Sequence, residues 1–137
     1  MENRKRLLLT GGATGIGRAV AISCAQPAAV VVAEINVEDA AKTVAAVRSA
    51  GGIAHFVPCD VTKETEVSAL VSTTEDLNGG IDSLVTAAGV LEAAAVPVEQ
   101  INPKDWTRTL EVNVNGSFYC VKHALPALRR SSSAVVV

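Results

Sequence analysis

Thr10-Gly11-Gly12-Ala13-Thr14-Gly15-Ile16-Gly17 stands between a short apolar run, Arg6 to Thr10, and an alanine-rich stretch from Gly17 to Ala25 that Pro27 closes. An apolar run that stops abruptly in glycine has the pattern of a strand buried on both faces. Glycines at that junction serve three needs. The backbone must turn sharply, it must approach a pyrophosphate with no Cβ in the way, and the helix must pack close to the strand. The unpaired N–H groups that open the helix then face the anion. The plain alternative is a tight strand-to-helix turn with no ligand. Gly12 and Gly17 also meet the outer spacing of a P-loop, but that motif continues with Lys and Ser/Thr, which meet the phosphates and hold magnesium. Arg18 and Ala19 follow here, so hydrolysis of a nucleoside triphosphate is disfavoured.

The same alternation continues along the chain. Val30-Val31-Val32-Ala33 is a second apolar strand, ending at Glu34. Asn36 is placed to cap the next helix through its side-chain oxygen, with Glu38 and Asp39 favourable in its first turn. That helix runs through Val44 and Val47 to Gly51-Gly52, where glycine takes the left-handed conformation cheaply. Ile53 to Cys59 is a third strand. Thr62 is expected to cap a helix in which Val67, Leu70, Val71, Thr74 and Leu77 keep helical spacing, and Gly79-Gly80 to end it. Ile81 to Thr86 is a fourth strand. Asn102-Pro103, a capping residue followed by proline at the first helical position, opens a long helical region. Val135-Val136-Val137 begins a fifth strand. No linker, repeat or low-complexity segment interrupts the order. It predicts a doubly wound parallel α/β sheet of Rossmann type, three layers deep, in one domain over residues 1–137.

Composition removes competing classes. A chain of 137 residues suits one domain, and such a domain buries roughly 70% of its unfolded surface. With 49% hydrophobic residues and a net charge of −2, the chain is too apolar and too weakly charged to be disordered. The near-neutral balance leaves no electrostatic footprint for nucleic acid. Three cysteines, an odd number, do not make a secreted disulfide framework, and a cytoplasmic, reducing setting is expected. No apolar run approaches the roughly 20 residues that span a bilayer, so no membrane partner is expected. Arg4-Lys5-Arg6-Leu7-Leu8-Leu9 has the order of a signal peptide for six residues, but Gly11 and Gly12 interrupt it.

Glu34 stands near the spacing at which an acid takes the ribose hydroxyls of an adenosine. A carboxylate there repels a 2′-phosphate, and Ile35 and Asn36 offer no compensating cation. NAD is therefore expected over NADP. A solvated carboxylate that merely starts a loop is the simpler alternative.

With these residues in place, the chain resembles the short-chain dehydrogenase/reductase family. Its glycine loop has that family's form, Thr-Gly-x-x-x-Gly-x-Gly. Asp60-Val61, after the third strand, looks like the pair that contacts adenine. Thr86-Ala87-Ala88-Gly89 occupies the place of the family's Asn-Asn-Ala-Gly, and Asn113, in Glu111-Val112-Asn113-Val114-Asn115-Gly116, matches the asparagine that binds a water in the proton relay. The resemblance covers residues 5 to 137. It implies that Thr10, Gly11, Gly12, Thr14, Gly15, Ile16, Gly17, Glu34, Asp60, Val61, Ala87, Ala88 and Gly89 hold the cofactor, and that Asn113 belongs to the catalytic set. Read without it, Asp60 simply begins a helix and Asn113 belongs to the turn signal Asn115-Gly116. Two departures stand out. Thr86 and Ala87 replace two asparagines that brace the central strand, and Gln26-Pro27-Ala28-Ala29 lacks the glycine usual before the second strand.

The resemblance further implies hydride transfer between nicotinamide and an alcohol or ketone. A tyrosine hydroxyl exchanges the proton, a lysine four residues later lowers its pKa, and a serine orients the substrate oxygen. A phenol with a pKa of about 10 needs such help near neutrality. In the family these three lie beyond the fifth strand. Tyr119, the one tyrosine here, is followed by Lys122 at three residues and His123 at four, so it is read as a packing or interface residue. Ser131, Ser132 and Ser133 precede the fifth strand, at the wrong end for substrate. His55 and Cys59, with Cys120 and His123, raise the question of zinc. Residues four apart on a strand lie about 13 Å from each other, too far to share an ion, and buried thiols are expected instead. The chain is therefore expected to be the cofactor-binding part of an oxidoreductase, cut before its catalytic residues and inactive alone. The other possibility is a non-catalytic dinucleotide-binding or interaction module. Residues Leu91 to Val98 are expected to line one substrate wall, the fifth-strand edge to be bare and apolar, and the complete protein to be a homo-oligomer.

Overall fold

In a computed structural model, which describes residues 4–137, five parallel strands form one sheet in the order β3-β2-β1-β4-β5. The strands are β1 (Lys5–Thr10), β2 (Ala28–Glu34), β3 (Ile53–Pro58), β4 (Ser83–Thr86) and β5 (Val135–Val136). Between them run α1 (Gly15–Ser23), α2 (Val37–Ser49), α3 (Glu64–Asn78) and a long helix in three pieces. The pieces are α4 (Pro103–Leu110), a π turn (Glu111–Gly116) and α5 (Ser117–Leu128). The expected doubly wound α/β architecture is what the chain adopts. The expected domain, residues 1–137, opens with three residues that lie outside the described ones.

Side chains on the strands alternate between two cores, because successive residues point to opposite faces. Leu7, Leu9, Val30 and Val32 pack with Ala21, Ala25, Ala40, Val44 and Val47 of α1 and α2. Leu8, Val31 and Leu84 pack with Val67 and Leu70 of α3 and with Cys120, Ala124 and Leu128 of α5. β1 and β2 are covered on both sides, which explains their unbroken apolar sequence. Each fully buried Leu or Val contributes roughly 1.5–3 kcal/mol.

Register at the lower end of the sheet is pinned by charge. The Arg6 guanidinium donates from Nε to Asp82 Oδ2 at 2.9 Å and from its terminal nitrogen to Oδ1 at 2.6 Å. The Arg6 amide and the Ser131 hydroxyl also donate to that carboxylate, at 3.0 and 2.7 Å. Arg6, which in sequence looked like a leader cation, thus joins β1 to the residue that precedes β4. Ser131 sits at this end too, away from the glycine loop.

Three local expectations change. Thr62 does not cap α3: it lies one residue before the cap position, and its N–H and hydroxyl donate instead to Asp60 Oδ1, at 3.0 and 2.7 Å. Lys63 occupies the cap position, with no side-chain bond. Asn115-Gly116 is not a turn. It lies inside the π turn, where the missing side chain of Gly116 admits Val61, whose Cγ2 is 2.7 Å from where a Cβ would stand. α1 begins two residues earlier than its apolar pattern, inside the glycine loop. The caps at Asn36 and Asn102 form as expected, each side chain accepting from a helix N–H at 3.0 and 2.9 Å.

Candidate dinucleotide cleft

β1 leads outward on one side to β2 and β3, whereas β4 joins its other edge. At such a switch point the loops leaving neighbouring strands part and open a crevice. A cleft of about 360 Å³ lies there, at the carboxyl ends of the strands. The glycine loop, Glu34 and Ile35, Cys59 to Val61, Ala87 to Val90, and Arg108 and Val112 of the long helix all line it.

Two positions of the loop leave no room for a side chain. Gly11 has φ +69°, and a Cβ there would overlap the Ala87–Ala88 peptide. A Cβ on Gly17 would overlap the Gly11 carbonyl oxygen. Thr14 precedes α1 in extended conformation without capping it, so the first N–H groups of the helix face the cleft with no side chain across them. Gly15, Ile16 and Gly17 supply these donors, the arrangement that holds an anion at a helix start. This open helix start, with its loop backbone held close to the neighbouring strand by Gly11 and Gly17, fits the pyrophosphate of a dinucleotide.

Glu34 ends β2 beside the loop. Its Oε2 accepts from the Ala13 amide at 3.3 Å and its Oε1 from the Ile35 amide at 2.9 Å. The carboxylate therefore steadies the glycine loop while facing the cleft. For Asp60, burial raises the pKa, but hydrogen bonds from the Thr62 hydroxyl and amide, with the charges of Lys63 and Arg108, outweigh it. The carboxyl is held below its usual range and stays ionised at neutral pH. Burial pushes the Cys59 thiol up to about 12, with Cys120, Glu66 and Asp60 adding to the effect. Burial likewise raises Cys120 to about 11, against a hydrogen bond with the Thr10 hydroxyl. Both behave as small apolar groups rather than nucleophiles.

Not every expected residue reaches the cleft. Gly11, Thr14, Gly15, Ile16, Gly17, Glu34, Asp60, Val61, Ala87, Ala88 and Gly89 line it together. Thr10 and Gly12 are buried beneath the loop, Gly12 against Val32 and Leu9. Asn113 stands at the rim, its Oδ1 accepting from the Val90 amide at 2.8 Å and its Nδ2 donating to the Val90 carbonyl at 2.9 Å. Both ends of that amide tie the helix to the loop after β4. Residues 91–98 do not line the cleft, and Leu91 and Val98 are exposed. Where Thr86 and Ala87 stand in place of the two asparagines, the backbone pairing continues: Ala87 N–H donates to Thr10 O at 3.0 Å and Thr86 N–H to Val137 O at 2.8 Å. Tyr119 packs against the core beside Phe118, ring centroids 5.6 Å apart. Among the described residues no cluster of metal-ligating side chains occurs, and no helix is long and apolar enough to cross a membrane.

Motif reading missed Arg108 and Val112. Their spacing of four, one helical turn, was the available signal, and the carboxyl-end loops give it meaning only in three dimensions.

Comparison with known proteins agrees with this geometry. The profile for short chain dehydrogenases matches residues 5–137. A 3beta-hydroxysteroid dehydrogenase of Mediterraneibacter gnavus is 37% identical over 135 residues, covering 98% of this chain and 49% of that protein. A 2,5-dichloro-2,5-cyclohexadiene-1,4-diol dehydrogenase of Sphingobium indicum is 36% identical over 125 residues, covering 90% and 48%. Among solved structures, an NAD+-bound xylitol dehydrogenase superposes with a TM-score of 0.92 at 30% identity, covering 99% of this chain and 53% of its own. An NADH-dependent reductase A1-R′ complexed with NAD gives 0.87 at 33% identity, covering 98% and 58%. The chain spans about half the length of the curated relatives it matches.

Proposed function

The chain belongs to the short-chain dehydrogenase family, and from that premise we propose that residues 5–137 form the NAD-binding part of an oxidoreductase. Its reaction would transfer hydride between nicotinamide and a small alcohol or ketone. The observation that carries this reading is the cradle of Gly11, Gly15 and Gly17 at an uncapped helix start, set beside an acid at the end of β2.

NAD is favoured over NADP by the charges that line the cleft. Glu34 and Asp60 are acids, and the only cation among the described residues lining it, Arg108, lies 3.5 Å from Glu92. A 2′-phosphate would meet Glu34 with no free cation to offset it. The glycine-loop N–H groups would bind the pyrophosphate, Glu34 would accept from the ribose hydroxyls, and Asp60 with Val61 would face the adenine. The cofactor supplies the hydride or accepts it. Asn113, through Val90, would fix the loop that borders the nicotinamide end. We assign the protein to the cytoplasm and regard residues 1–137 as one dinucleotide-binding domain. We also infer that the complete protein pairs with a second copy through the exposed apolar side of α4 and α5.

Steady-state oxidation of a panel of secondary and cyclic alcohols by the protein from its complete reading frame tests the activity. Turnover with NAD, at least tenfold more efficient than with NADP, is expected. No reduction of either cofactor by any alcohol, and no oxidation of NADH by the matching ketones, would overturn it.

A further inference from the structure

Arg108 is the cleft residue whose place the motifs leave unexplained. It projects from α4 one turn before Val112 and lines the cleft with Asp60, Val61 and Val90. Its Nε lies 3.5 Å from Glu92 Oε1, an ion pair through which the loop after β4 holds one edge of the guanidinium by charge. The side chain keeps 52% of its exposure. The surrounding wall is aliphatic. Trp106, Phe118, Tyr119 and Phe56 all lie elsewhere, and no aromatic ring is among the described residues that line the cleft. A guanidinium bound to a carboxylate along its edge keeps its flat faces free, and such a plane stacks on an aromatic base as an ammonium cannot.

Resting on the dinucleotide reading above, we propose that Arg108 is a positioning residue whose guanidinium plane lies against the adenine of the bound cofactor, with Glu92 as its anchor. Its role is geometric: Glu92 and Asp60 already answer its charge, so it adds no site for a further phosphate. The aliphatic side chains Val61, Val90 and Val112 hold the base apolar-side in, and Arg108 supplies the one flat polar face.

The test titrates the full-length protein and its Arg108→Ala, Arg108→Lys and Glu92→Gln variants with NAD, AMP, NADP and nicotinamide mononucleotide. Arg108→Ala is expected to weaken NAD and AMP by the same factor, about tenfold, and to leave nicotinamide mononucleotide unchanged. Arg108→Lys should recover less than half of that loss in logarithmic terms, since it restores charge without the plane. Glu92→Gln should weaken both adenosine ligands about threefold. In turnover, KM for NAD should rise while kcat at saturating NAD stays within about twofold, a split that a general loss of structure would not give. Unchanged AMP affinity in Arg108→Ala, full recovery in Arg108→Lys, or a loss confined to NADP would each overturn the proposal. A wild-type protein that binds neither NAD nor AMP would instead overturn the dinucleotide reading itself.

Discussion

Asp82 illustrates how one side chain can carry a measurable share of stability. It is 7% exposed, bonded to Arg6 and Ser131, and the Arg6 guanidinium holds its carboxyl far below the ordinary carboxylate range, against the cost of burial. A carboxyl whose folded pKa is depressed stabilises the fold above its unfolded pKa of about 4, and the contribution fades as pH falls through that value toward the folded one. Asp82→Asn should therefore cost about 2–3 kcal/mol at neutral pH, since it leaves Arg6 without its charge partner. Denaturant titrations at about pH 7 and pH 3 check this: the gap between wild type and variant should narrow by about 1 kcal/mol in acid. A gap that stays constant or widens would contradict the assignment. Nothing near Arg6 in sequence announces Asp82, which is why Arg6 looked like part of a leader. The glycines were legible because their constraint is local, whereas an ion pair between distant residues exists only once β1 and β4 are neighbours. Thr62 failed as a cap because α3 begins one residue later than a cap at Thr62 requires, and its hydroxyl turns back to Asp60.

Among the elements, the long helix departs most from a simple reading. Its start at Asn102-Pro103 was legible from capping chemistry. The π turn was not, because Asn115-Gly116 carries a turn signal that the packing of Val61 overrides. Trp106, Leu110, Val114 and Phe118 recur every fourth residue and are all substantially exposed. In a regular α-helix a spacing of four drifts about 40° per step, and the wider π turn holds that drift back, so the four make one apolar stripe. Soluble chains rarely leave such a stripe open. The proposed pairing through α4 and α5 accounts for it. Sedimentation of the full-length protein should show a dimer or larger assembly, and Val114→Glu combined with Phe118→Glu should shift it toward monomer with its melting temperature changed little. A wild-type monomer at micromolar concentration would contradict the pairing.

For the molecule as a whole, the doubly wound parallel architecture was legible from connectivity, because helices between consecutive strands require parallel crossovers, whereas the order β3-β2-β1-β4-β5 is set by packing. The location of the cleft follows in turn, because the switch between β1 and β4 brings four loops together. Arg108 and Val112, which reach the cleft from α4 and the π turn, take their place only once the long helix packs over the loops. Residues 91–98, expected to line a substrate wall, stand outside the dinucleotide cleft, with Leu91 and Val98 exposed. β5 stands at the sheet edge with Val135 and Val136 about half exposed, as the apolar run had indicated.

On the proposed reading, the crevice at the sheet's switch point holds NAD and refuses a 2′-phosphate because of Glu34. Calorimetric titration of the full-length protein and of Glu34→Ala with NAD and NADP addresses it most directly. One NAD per chain is predicted, with NADP at least tenfold weaker, and the preference should shrink in Glu34→Ala as the repulsion is removed. NADP binding as tightly as NAD to the wild type, or a preference that Glu34→Ala leaves intact, would contradict it.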